Sequence, residues 1–537
     1  MKFYLNKCLL ITFILLNNCS RLKQDELTSK VVIIQPIITK SDSGDKPARH
    51  ELSSSLINKA YSRADIDFHF LEPIYFNNSK ARDGKINLDS IVIIAGKQKI
   101  LRGQNDIVNM FFVNAIDGNN GPTGRGLMNG NLIFISLGKG NEYNDDEKMY
   151  MEAFVVAHEI GHNLGLKHSI DDQNVNDNTP NIQGEGNFKD RIDPKNSLTK
   201  YQINEIYKSP LVHSRISFLT KKQSSIAILD ETFEPYFSKL QKREITTFTQ
   251  EKSPDNIDSA RIFAKEKFSS AVLEFTKNEK SILSFVVNKT NSWLLDNNIN
   301  LMAKQPWRFI KIQNWLCGGF AHTRGTYIIL SKAYLDKLSK EWSDQMSEES
   351  EAKLVTSLGG LLVHEQMHSL QRTFPTKFTS LYTTKWNFVN EIVHDEKQII
   401  INQVSNPDAP QAEWIVPDQN KDGKYFWIRT LLKKNIDIPA MGKHFEDVAF
   451  EIKKKGDGFY VSKFNSELIF KPLFELEFYK NSFPIERGLD HPNEISAYMF
   501  SEFFKAHYNS KTPFLNINNT AKINTEFFVE WVYNEMN

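Results

Sequence analysis

One segment of the sequence carries three histidines and a glutamate at a spacing that can bind a metal. His158 and His162 are four residues apart, so they share one face of a helix and can both bind one Zn²⁺. Glu159 lies beside them, in position to take a proton from a zinc-bound water. Gly165 permits the sharp turn that ends the helix, and His168 then returns as the third ligand. Three protein ligands leave a fourth position for water, which indicates a catalytic zinc site.

A second segment repeats the pair of histidines and the adjacent glutamate. His364 and His368 are four residues apart, and Glu365 follows the first of them. The leucines around this segment recur at helical spacing, which predicts an apolar helix face. No nearby histidine completes the set, so the third ligand has to come from further along the chain. The sequence therefore predicts two zinc sites, each with one Zn²⁺ and one glutamate general base.

The elements that position these residues follow from the pattern of apolar residues. Strands are predicted at residues 31–34, 67–71, 91–94, 108–113, 132–135 and 327–330. Helices are predicted over 51–63, 146–166, 199–208 and 351–372, and the Gly/Asn-rich residues 118–130 are predicted to form a loop. Strands followed by a long central helix are typical of an α+β domain.

The first site resembles the metzincin metallopeptidases, whose long motif is H-E-x-x-H-x-x-G-x-x-H. The five residues of the first site occupy every fixed position of that motif. The resemblance covers about residues 30–215, in which residues 131–135 look like the edge strand that pairs with an extended substrate in that family. Metzincins also carry a Met beneath the zinc, and here Gln183 is the best-placed equivalent. The polar Gln183 implies weaker zinc affinity or activity, so the resemblance supports zinc binding more strongly than turnover.

The second site resembles a less defined group of bacterial zincin-like proteins. The similarity rests on the helix motif and on residues 406–410 and 491–497, the last of which look like a gluzincin-type helix that supplies a Glu ligand. Glu494 is therefore the favoured third ligand, and the alternatives that stay open are Glu391, Asp395 and Glu396. His322 and Tyr498 are candidates for stabilising a developing oxyanion, although a purely structural role is the simpler interpretation of each.

These resemblances imply an α+β fold with two zincin-like domains. Each is expected to be a mixed sheet with a central zinc-binding helix, the second richer in helix. The expected division of the chain is 1–19, a signal peptide; 20–29, a tether; 30–215, the metzincin-like domain; 216–260, a linker or the start of the second domain; and 261–537, the zincin-like domain.

The first nineteen residues are predicted to direct export. An apolar run of about nine residues follows Lys7, which is too short to span a bilayer and suits a signal peptide. The run ends in Leu16-Asn17-Asn18-Cys19, which resembles a bacterial lipobox and implies a lipid on Cys19. The alternative is a plain secretory signal. Either interpretation predicts an exported protein, as a lipoprotein of the bacterial envelope (outer membrane or cell surface) or in secreted form.

Composition excludes several other classes of protein. Lys plus Arg is 66 and Asp plus Glu is 65, a balance that gives no support for a nucleic-acid-coating protein or a polybasic membrane binder. Three cysteines in 537 residues rule out a disulfide scaffold, and Cys317 is predicted to be a small buried residue.

The leading interpretation is an exported zinc metalloendopeptidase that hydrolyses protein or peptide substrates, with the activity of the second domain uncertain. The alternative is a surface lipoprotein on catalytically impaired zincin scaffolds that binds a host or envelope partner. The intact Glu159 and Glu365 argue against that alternative, because a binding scaffold gains nothing from a general base. The sequence does not indicate an oligomeric state.

Overall fold

The computed structural model describes residues 27–537 except 119, 139–142, 177–178, 344, 395, 411–413, 419–422, 434 and 510–518. The predicted signal peptide with Cys19, most of the predicted tether and the candidate ligand Asp395 therefore lie outside the described residues. Within the described part of the chain, no helix combines the length and the apolar composition that a bilayer crossing requires.

The strands fall into three larger sheets and one small two-stranded sheet. The strands are β1 Lys30–Lys40, β2 Ile66–Phe70, β3 Ile74–Asn77, β4 Val108–Phe112, β5 Gly124–Gly126, β6 Leu132–Ile135, β7 His213–Ser214, β8 Ile216–Phe218, β9 Val272–Leu273, β10 Trp307–Ile312, β11 His322–Arg324, β12 Tyr327–Ser331, β13 Val389–Asn390, β14 Val393–His394, β15 Trp414–Pro417, β16 Tyr425–Leu432, β17 Phe445–Lys455, β18 Gly458–Val461, β19 Lys463–Phe464, β20 Glu467–Leu468 and β21 Phe470–Pro472.

The helices pack mainly on the first two sheets and around the second histidine pair. The α-helices are α1 Ser54–Tyr61, α2 Ser79–Arg82, α3 Leu88–Lys97, α4 Asp145–Asn163, α5 Phe188–Arg191, α6 Lys200–Ile206, α7 Lys221–Ala227, α8 Lys242–Thr249, α9 Ile257–Ser270, α10 Lys277–Asp296, α11 Asn300–Lys304, α12 Lys332–Glu341, α13 Glu348–Leu354, α14 Gly360–Thr373, α15 Pro375–Ser380, α16 Lys397–Asn402, α17 Glu477–Lys480, α18 Pro492–Asn509 and α19 Asn519–Glu535.

The first sheet has the order β2-β1-β4-β6-β5 and is mixed. Strands β2, β1, β4 and β6 are parallel, whereas β5 runs antiparallel to β6 at the edge. One face is covered by α1 and α4 in a single apolar cluster, and the other face is covered by α3. The edge strand is therefore β5, so the prediction that residues 131–135 form the edge is wrong, because β5 pairs along their outer side.

The helix α4 begins and ends at residues suited to those positions. Asn144 and Glu147 form a reciprocal capping box at its start, which satisfies two free amide groups there. Gly165 adopts a positive φ of 95° shortly after the last helical residue, which an L side chain rarely tolerates. The predicted turn at Gly165 is thus confirmed, and it brings the chain back toward the helix.

The second sheet repeats the central part of the first. Strands β8, β10 and β12 are parallel, and the short β11 pairs antiparallel with β12 at the edge. In both sheets a row of parallel strands, four in the first and three in the second, ends at an antiparallel edge strand that precedes its partner in sequence. A continuous helical stretch from Glu348 to Thr373 then carries the second histidine pair, with a π-helical segment at Val355–Gly359 before α14. This matches the helix predicted at 351–372.

A third sheet is formed by strands that follow α14 in the sequence and precede α18. It has the order β13-β15-β16-β17-β18-β14, with β21 also paired to β17. The sequence analysis identified none of these strands. Residues 216–260 also contain regular structure, since β8 pairs with β10 and α8 packs in the same apolar cluster as β10.

Two predicted elements differ from the structure. Residues 91–94 lie in the helix α3 and not in a strand. The Asn87 side chain caps the helix, and only Ile91 and Ala95, four residues apart, are fully buried. Residues 118–130 are not wholly a loop, since they contain the short strand β5. An apolar run alone does not distinguish a strand from a half-buried helix.

The two sheets meet through buried polar contacts. The carboxylate of Asp106 accepts hydrogen bonds from Arg308 and Tyr327 of the second sheet. His69 Nε2 lies 2.7 Å from Gln305 Oε1, and Gln305 Nε2 donates to Ser369 Oγ at 2.7 Å. The first sheet is thereby connected to the helix α14, which carries the second histidine pair.

Candidate active sites

The first site brings three imidazole nitrogens together. The Nε2 atoms of His158, His162 and His168 lie 3.1–3.2 Å from one another. Three nitrogens bound tetrahedrally to one Zn²⁺ at about 2.0–2.1 Å lie about 3.3 Å apart. The predicted trio is therefore assembled at the separation that a shared metal requires. His158 and His162 come from α4, and His168 comes from the segment that follows Gly165.

Backbone carbonyls fix the orientation of two of these rings. His158 Nδ1 lies 2.8 Å from the Ile182 oxygen, and His162 Nδ1 lies 2.7 Å from the Leu166 oxygen. A carbonyl only accepts a hydrogen bond, so each Nδ1 carries the proton and each Nε2 keeps its lone pair for a metal. Burial lowers the pKa of His158 to about 3, which also favours the neutral ring. The donor set therefore fits zinc.

Glu159 is placed for acid–base chemistry beside the three histidines. Its side chain is 8% exposed, and its Oε2 accepts a hydrogen bond from the Gly126 amide at 2.5 Å. Burial raises the pKa of Glu159 to about 7, although the Gly126 hydrogen bond opposes the shift. A side chain at Gly126 would collide with the Glu159 backbone oxygen, 2.4 Å from the added carbon. Glycine in β5 thus allows the edge strand to lie against Glu159.

Gln183 lies under the first site, where the metzincin resemblance implies a Met. Its Nε2 donates to the His158 backbone oxygen at 2.8 Å, and its Oε1 is buried with no hydrogen-bond partner among the described residues. The amide nitrogen lies so close to Gly161 that a Cβ there would be 2.3 Å away. Gln183 therefore supports the helix α4 from below.

The second site is built from two long helices. His364 and His368 lie on α14 and Glu494 lies on α18. The two Nε2 atoms are 3.2 Å apart, and the Glu494 oxygens lie 3.5 Å from His364 Nε2 and 3.6 Å from His368 Nε2. All three side chains are buried. The structure brings together the three residues that the sequence analysis favoured as ligands.

The other candidates for the third ligand lie elsewhere. Glu391 forms an ion pair with Lys454, and Glu396 forms one with Lys463. Neither joins a metal-ligating group within the described part of the chain. Asp395 lies outside the described residues.

Gln371 supports the second site and was missed in the sequence. Its Oε1 lies 2.9 Å from His368 Nδ1, and its Nε2 donates to the Asn493 oxygen and to Ser496 Oγ, both at 2.9 Å. Gln371 therefore holds the His368 ring and joins α14 to α18. It follows His368 by three residues on the same helix face, and this helical spacing was the one sequence signal available.

The residues around Glu365 form a polar cluster. Thr323 Oγ1 donates to Glu365 Oε2 at 2.9 Å, and the Thr323 amide donates to Asp408 Oδ1 at 2.5 Å. Asn406 Nδ2 donates to Glu494 Oε1 at 2.7 Å. Burial raises the pKa of Glu365 well above its usual range, and the neighbouring Asp408 carboxylate adds to the shift. Glu365 thus has surroundings similar to those of Glu159, beside an edge strand.

A cavity of about 730 Å³ opens onto the second site. It is lined by His364, Glu365 and Glu494, and also by His322 and Tyr498. The Tyr498 ring packs on His364 with 4.4 Å between ring centroids. Cys317 reaches the same cavity but is 1% exposed, and burial raises the pKa of its thiol. This fits the prediction that Cys317 is a small buried residue.

Comparison with known proteins supports the first site. A model of the Reprolysin-like metallo-peptidase family M12B matches residues 48–169, a span that contains all three histidines of the first site and Glu159. No curated protein matches the sequence.

Two solved structures are among those that match. A chaperone–substrate complex is 13% identical over 34% of this chain and 34% of that chain, with a TM-score of 0.23. The archaemetzincin from Archaeoglobus fulgidus, complexed with malonate, is 16% identical over 33% of this chain and 99% of that chain, with a TM-score of 0.19. The family match therefore carries the comparison. Residues 48–169 are therefore similar to the Reprolysin-like metallo-peptidase family M12B.

Proposed function

We propose that the protein is an exported zinc metallopeptidase with two active sites, each of which hydrolyses peptide bonds. His158, His162 and His168 would hold one Zn²⁺. His364, His368 and Glu494 would hold the second. When bound, zinc supplies a Lewis acid that activates water and polarises a carbonyl group.

In the first site Glu159 performs the proton transfers. Its carboxylate takes a proton from the attacking water and passes it to the leaving amine. The Gly126 amide donates to Oε2, which fixes the carboxylate against the edge strand β5. The edge strand β5 lies beside this group and offers backbone groups to an extended peptide.

In the second site Glu365 has the same role. Thr323 on the edge strand β11 donates to Glu365 Oε2, as Gly126 on β5 does to Glu159. The shared order of strands around both helices supports two zincin-like domains. Glu494 replaces the third histidine of the first site with a carboxylate, which is also an ordinary zinc ligand.

The observation that carries this proposal is the close approach of the Nε2 atoms of His158, His162 and His168. In two of these rings, Nδ1 is hydrogen-bonded to a backbone carbonyl oxygen. Buried polar side chains that only fill a core satisfy one another or the backbone. Here three Nε2 atoms lie 3.1–3.2 Å from one another, and Glu159, whose pKa is raised by burial, follows the first of these histidines in the sequence. That set of groups is suited to metal-assisted hydrolysis.

The proposal is tested with Glu159→Ala, Glu365→Ala and the double variant. Each is loaded with zinc and assayed on a peptide library with mass-spectrometric detection of products. We expect each single variant to keep two zincs per chain and to lose the products of one site, and the double variant to lose both sets. Glu391→Ala, at an exposed ion pair, is the control that should change neither. Undiminished cleavage by the double variant contradicts the proposal.

We also propose that a lipid on Cys19 attaches the exported protein to the bacterial envelope. The lipobox-like segment that ends at Cys19 supports this. Growth with labelled palmitate should label the wild-type protein and not Cys19→Ala. Equal labelling of both proteins contradicts the lipid anchor.

A further inference from the structure

The cavity beside the second site contains a carboxylate that peptide hydrolysis by Glu365 does not use. Asp408 is 7% exposed and lines the same cavity as Glu365. One of its oxygens lies within 4.8 Å of ligand atoms of both Glu365 and His368. Asp408 is therefore next to the place where a scissile carbonyl would lie, and a buried carboxylate there is best satisfied by a cation or by several donors.

Asp408 also occupies the edge of the second sheet. Its Oδ1 accepts the hydrogen bond of the Thr323 amide. Thr323 is the middle residue of β11, and its neighbours on either side pair with β12. An extended peptide that adds to a sheet edge needs such outward-facing amides. Because the Thr323 amide already donates to Asp408, it is not available to a peptide. A substrate therefore cannot extend along β11 past Thr323 as an added strand.

A second group in the cavity lacks a partner. His322 is 2% exposed, and its Nδ1 lies 3.0 Å from the Phe320 oxygen, so Nδ1 carries the ring proton. Its Nε2 is buried and has no hydrogen-bond partner among the described residues. Burial lowers the pKa of His322, which keeps Nε2 as an acceptor. A carboxylate and a neutral imidazole acceptor in one cavity suit a ligand that only donates, such as an ammonium group.

We propose that Asp408 and His322 bind the free α-amino group of a peptide, which makes the second site an aminopeptidase. The inference rests on the proposed function of that site. The α-nitrogen of a peptide lies about 2.5 Å from its first carbonyl carbon, so an anchor for it has to lie close to the general base, as Asp408 does. A lysine side-chain ammonium lies several bonds further away and fits this position less well.

The reaction is hydrolysis of the first peptide bond. The C–N bond breaks, the hydroxyl of water forms the new bond to the carbonyl carbon, and Glu365 carries the water proton to the leaving nitrogen. The products are a free amino acid and a peptide shorter by one residue. The shortened peptide again has a free α-amino group and can bind in the same way.

The test uses the full chain with Glu159→Ala, loaded with zinc, so that only the second site is active. Two hexapeptides of one sequence, one with a free N-terminus and one N-acetylated, are followed by liquid chromatography and mass spectrometry. We expect single residues to be released from the free peptide, and kcat/KM for the acetylated peptide to be about 10- to 100-fold lower, the range of a charge-assisted hydrogen bond.

Asp408→Asn keeps an acceptor for the Thr323 amide and removes the charge. We expect it to lower kcat/KM for the free peptide about 10- to 100-fold and to leave the acetylated peptide unchanged. Glu391→Gln removes one negative charge at an exposed ion pair outside the cavity, and it should leave the ratio of the two rates unchanged. Cleavage of both peptides at equal rates, or cleavage mainly at internal bonds of either peptide, would overturn the aminopeptidase inference and leave the metallopeptidase proposal standing.

Binding separates a failure of the anchor from a failure of the proposed hydrolysis. The free and acetylated peptides, labelled at the C-terminus, are titrated by fluorescence anisotropy into the zinc-loaded protein with Glu159→Ala and Glu365→Gln. Tighter binding of the free peptide, if it is lost in Asp408→Asn, supports the anchor. Absence of hydrolysis of both peptides by the Glu159→Ala protein contradicts the second active site, but it does not contradict the anchor. Equal affinity for both peptides overturns the anchor.

Discussion

Replacing Gln371 with Leu should weaken zinc binding at the second site and leave the first site unchanged. Leu has a similar volume but makes no hydrogen bonds. The change removes the acceptor for His368 Nδ1 and both donor contacts to α18. His368 is then left with a buried N–H that lacks a partner, in a ring that is free to rotate.

Two independent magnitudes agree on the size of this effect. A buried polar group left without its partner costs about 1–3 kcal/mol. Loss of a hydrogen-bond partner that orients a metal-ligating histidine typically lowers metal affinity about 10- to 100-fold, which corresponds to about 1.4–2.8 kcal/mol. We therefore expect the zinc dissociation constant of the second site to rise about 10- to 100-fold.

The assay is a zinc titration against a chromophoric chelator, in a His162→Ala background that disables the first site. The same substitution in a His364→Ala background reports on the first site, where no change is expected. Gln371→Glu keeps an acceptor for His368 Nδ1 and loses the donors to α18, so its effect should be smaller. A Gln371→Leu protein that binds zinc within twofold of its parent, or that weakens both sites equally, would refute this account of the second site.

Three further predictions concern the rest of the chain. Asp106→Asn should destabilise the protein by about 3 kcal/mol, because it leaves Arg308 buried without its counter-ion. Calorimetry should show a Tm lower by about 3 °C, since the unfolding entropy is about 2.1 cal/mol/K per residue over 537 residues. Burial lowers the pKa of His69 from 6.5 to about 4, so unfolding takes up a proton between these pH values. The free energy of unfolding should therefore fall by about 3 kcal/mol as the pH drops from 6.5 to 4. Urea unfolding of His69→Gln should show a weaker dependence of this free energy on pH. Gln183→Met should change stability by about 1 kcal/mol at most, because it removes both a hydrogen bond and a buried unpartnered oxygen, whereas Gln183→Ala should cost about 3 kcal/mol through the cavity that it opens.

Each of these three has a control. Asp146→Asn, at an exposed ion pair with Lys189, should change Tm little, and an equal loss there would contradict the role given to burial of the Asp106 pair. An unchanged pH profile in His69→Gln would contradict the lowered pKa. A Gln183→Met protein as unstable as Gln183→Ala would show that the hydrogen bond to His158 matters more than the volume of the side chain.

The sequence predicted the parts of both sites that are local in the chain. Two histidines at a spacing of four share a helix face whatever the rest of the fold does. Gly165 and His168 follow within the same segment, so the whole first set of histidines lies within eleven residues that one turn can close. The helices that carry both histidine pairs, and most strands of the first sheet, were predicted for the same reason.

The parts that depend on long-range packing were predicted less well. Glu494 was favoured by resemblance, and its approach to His368 depends on how α18 packs along α14. The role of Gln371 could not be predicted either, because its contacts with Asn493 and Ser496 also depend on this packing. The third sheet was missed because its strands are short or strongly mixed in polarity, such as β17, whose burial alternates only in part. The strand predicted at residues 91–94 was wrong because this apolar run lies on a helix, where Ile91 is buried and Ile93 is 58% exposed.

The two edge strands bear on why one chain would carry two histidine pairs, each with an adjacent glutamate. On β5 the Gly124 and Gly126 positions carry no side chain, and a Cβ added at either position would meet Glu159. On β11 all three residues are buried and the outward amide of Thr323 is bound by Asp408. An open glycine edge can accept a peptide that continues in both directions, which suits cleavage within a chain. A closed edge with a carboxylate would instead favour a peptide amino terminus, which carries a positive charge. We infer that the sites divide one task, since cuts made at the first site would create new amino termini for the second.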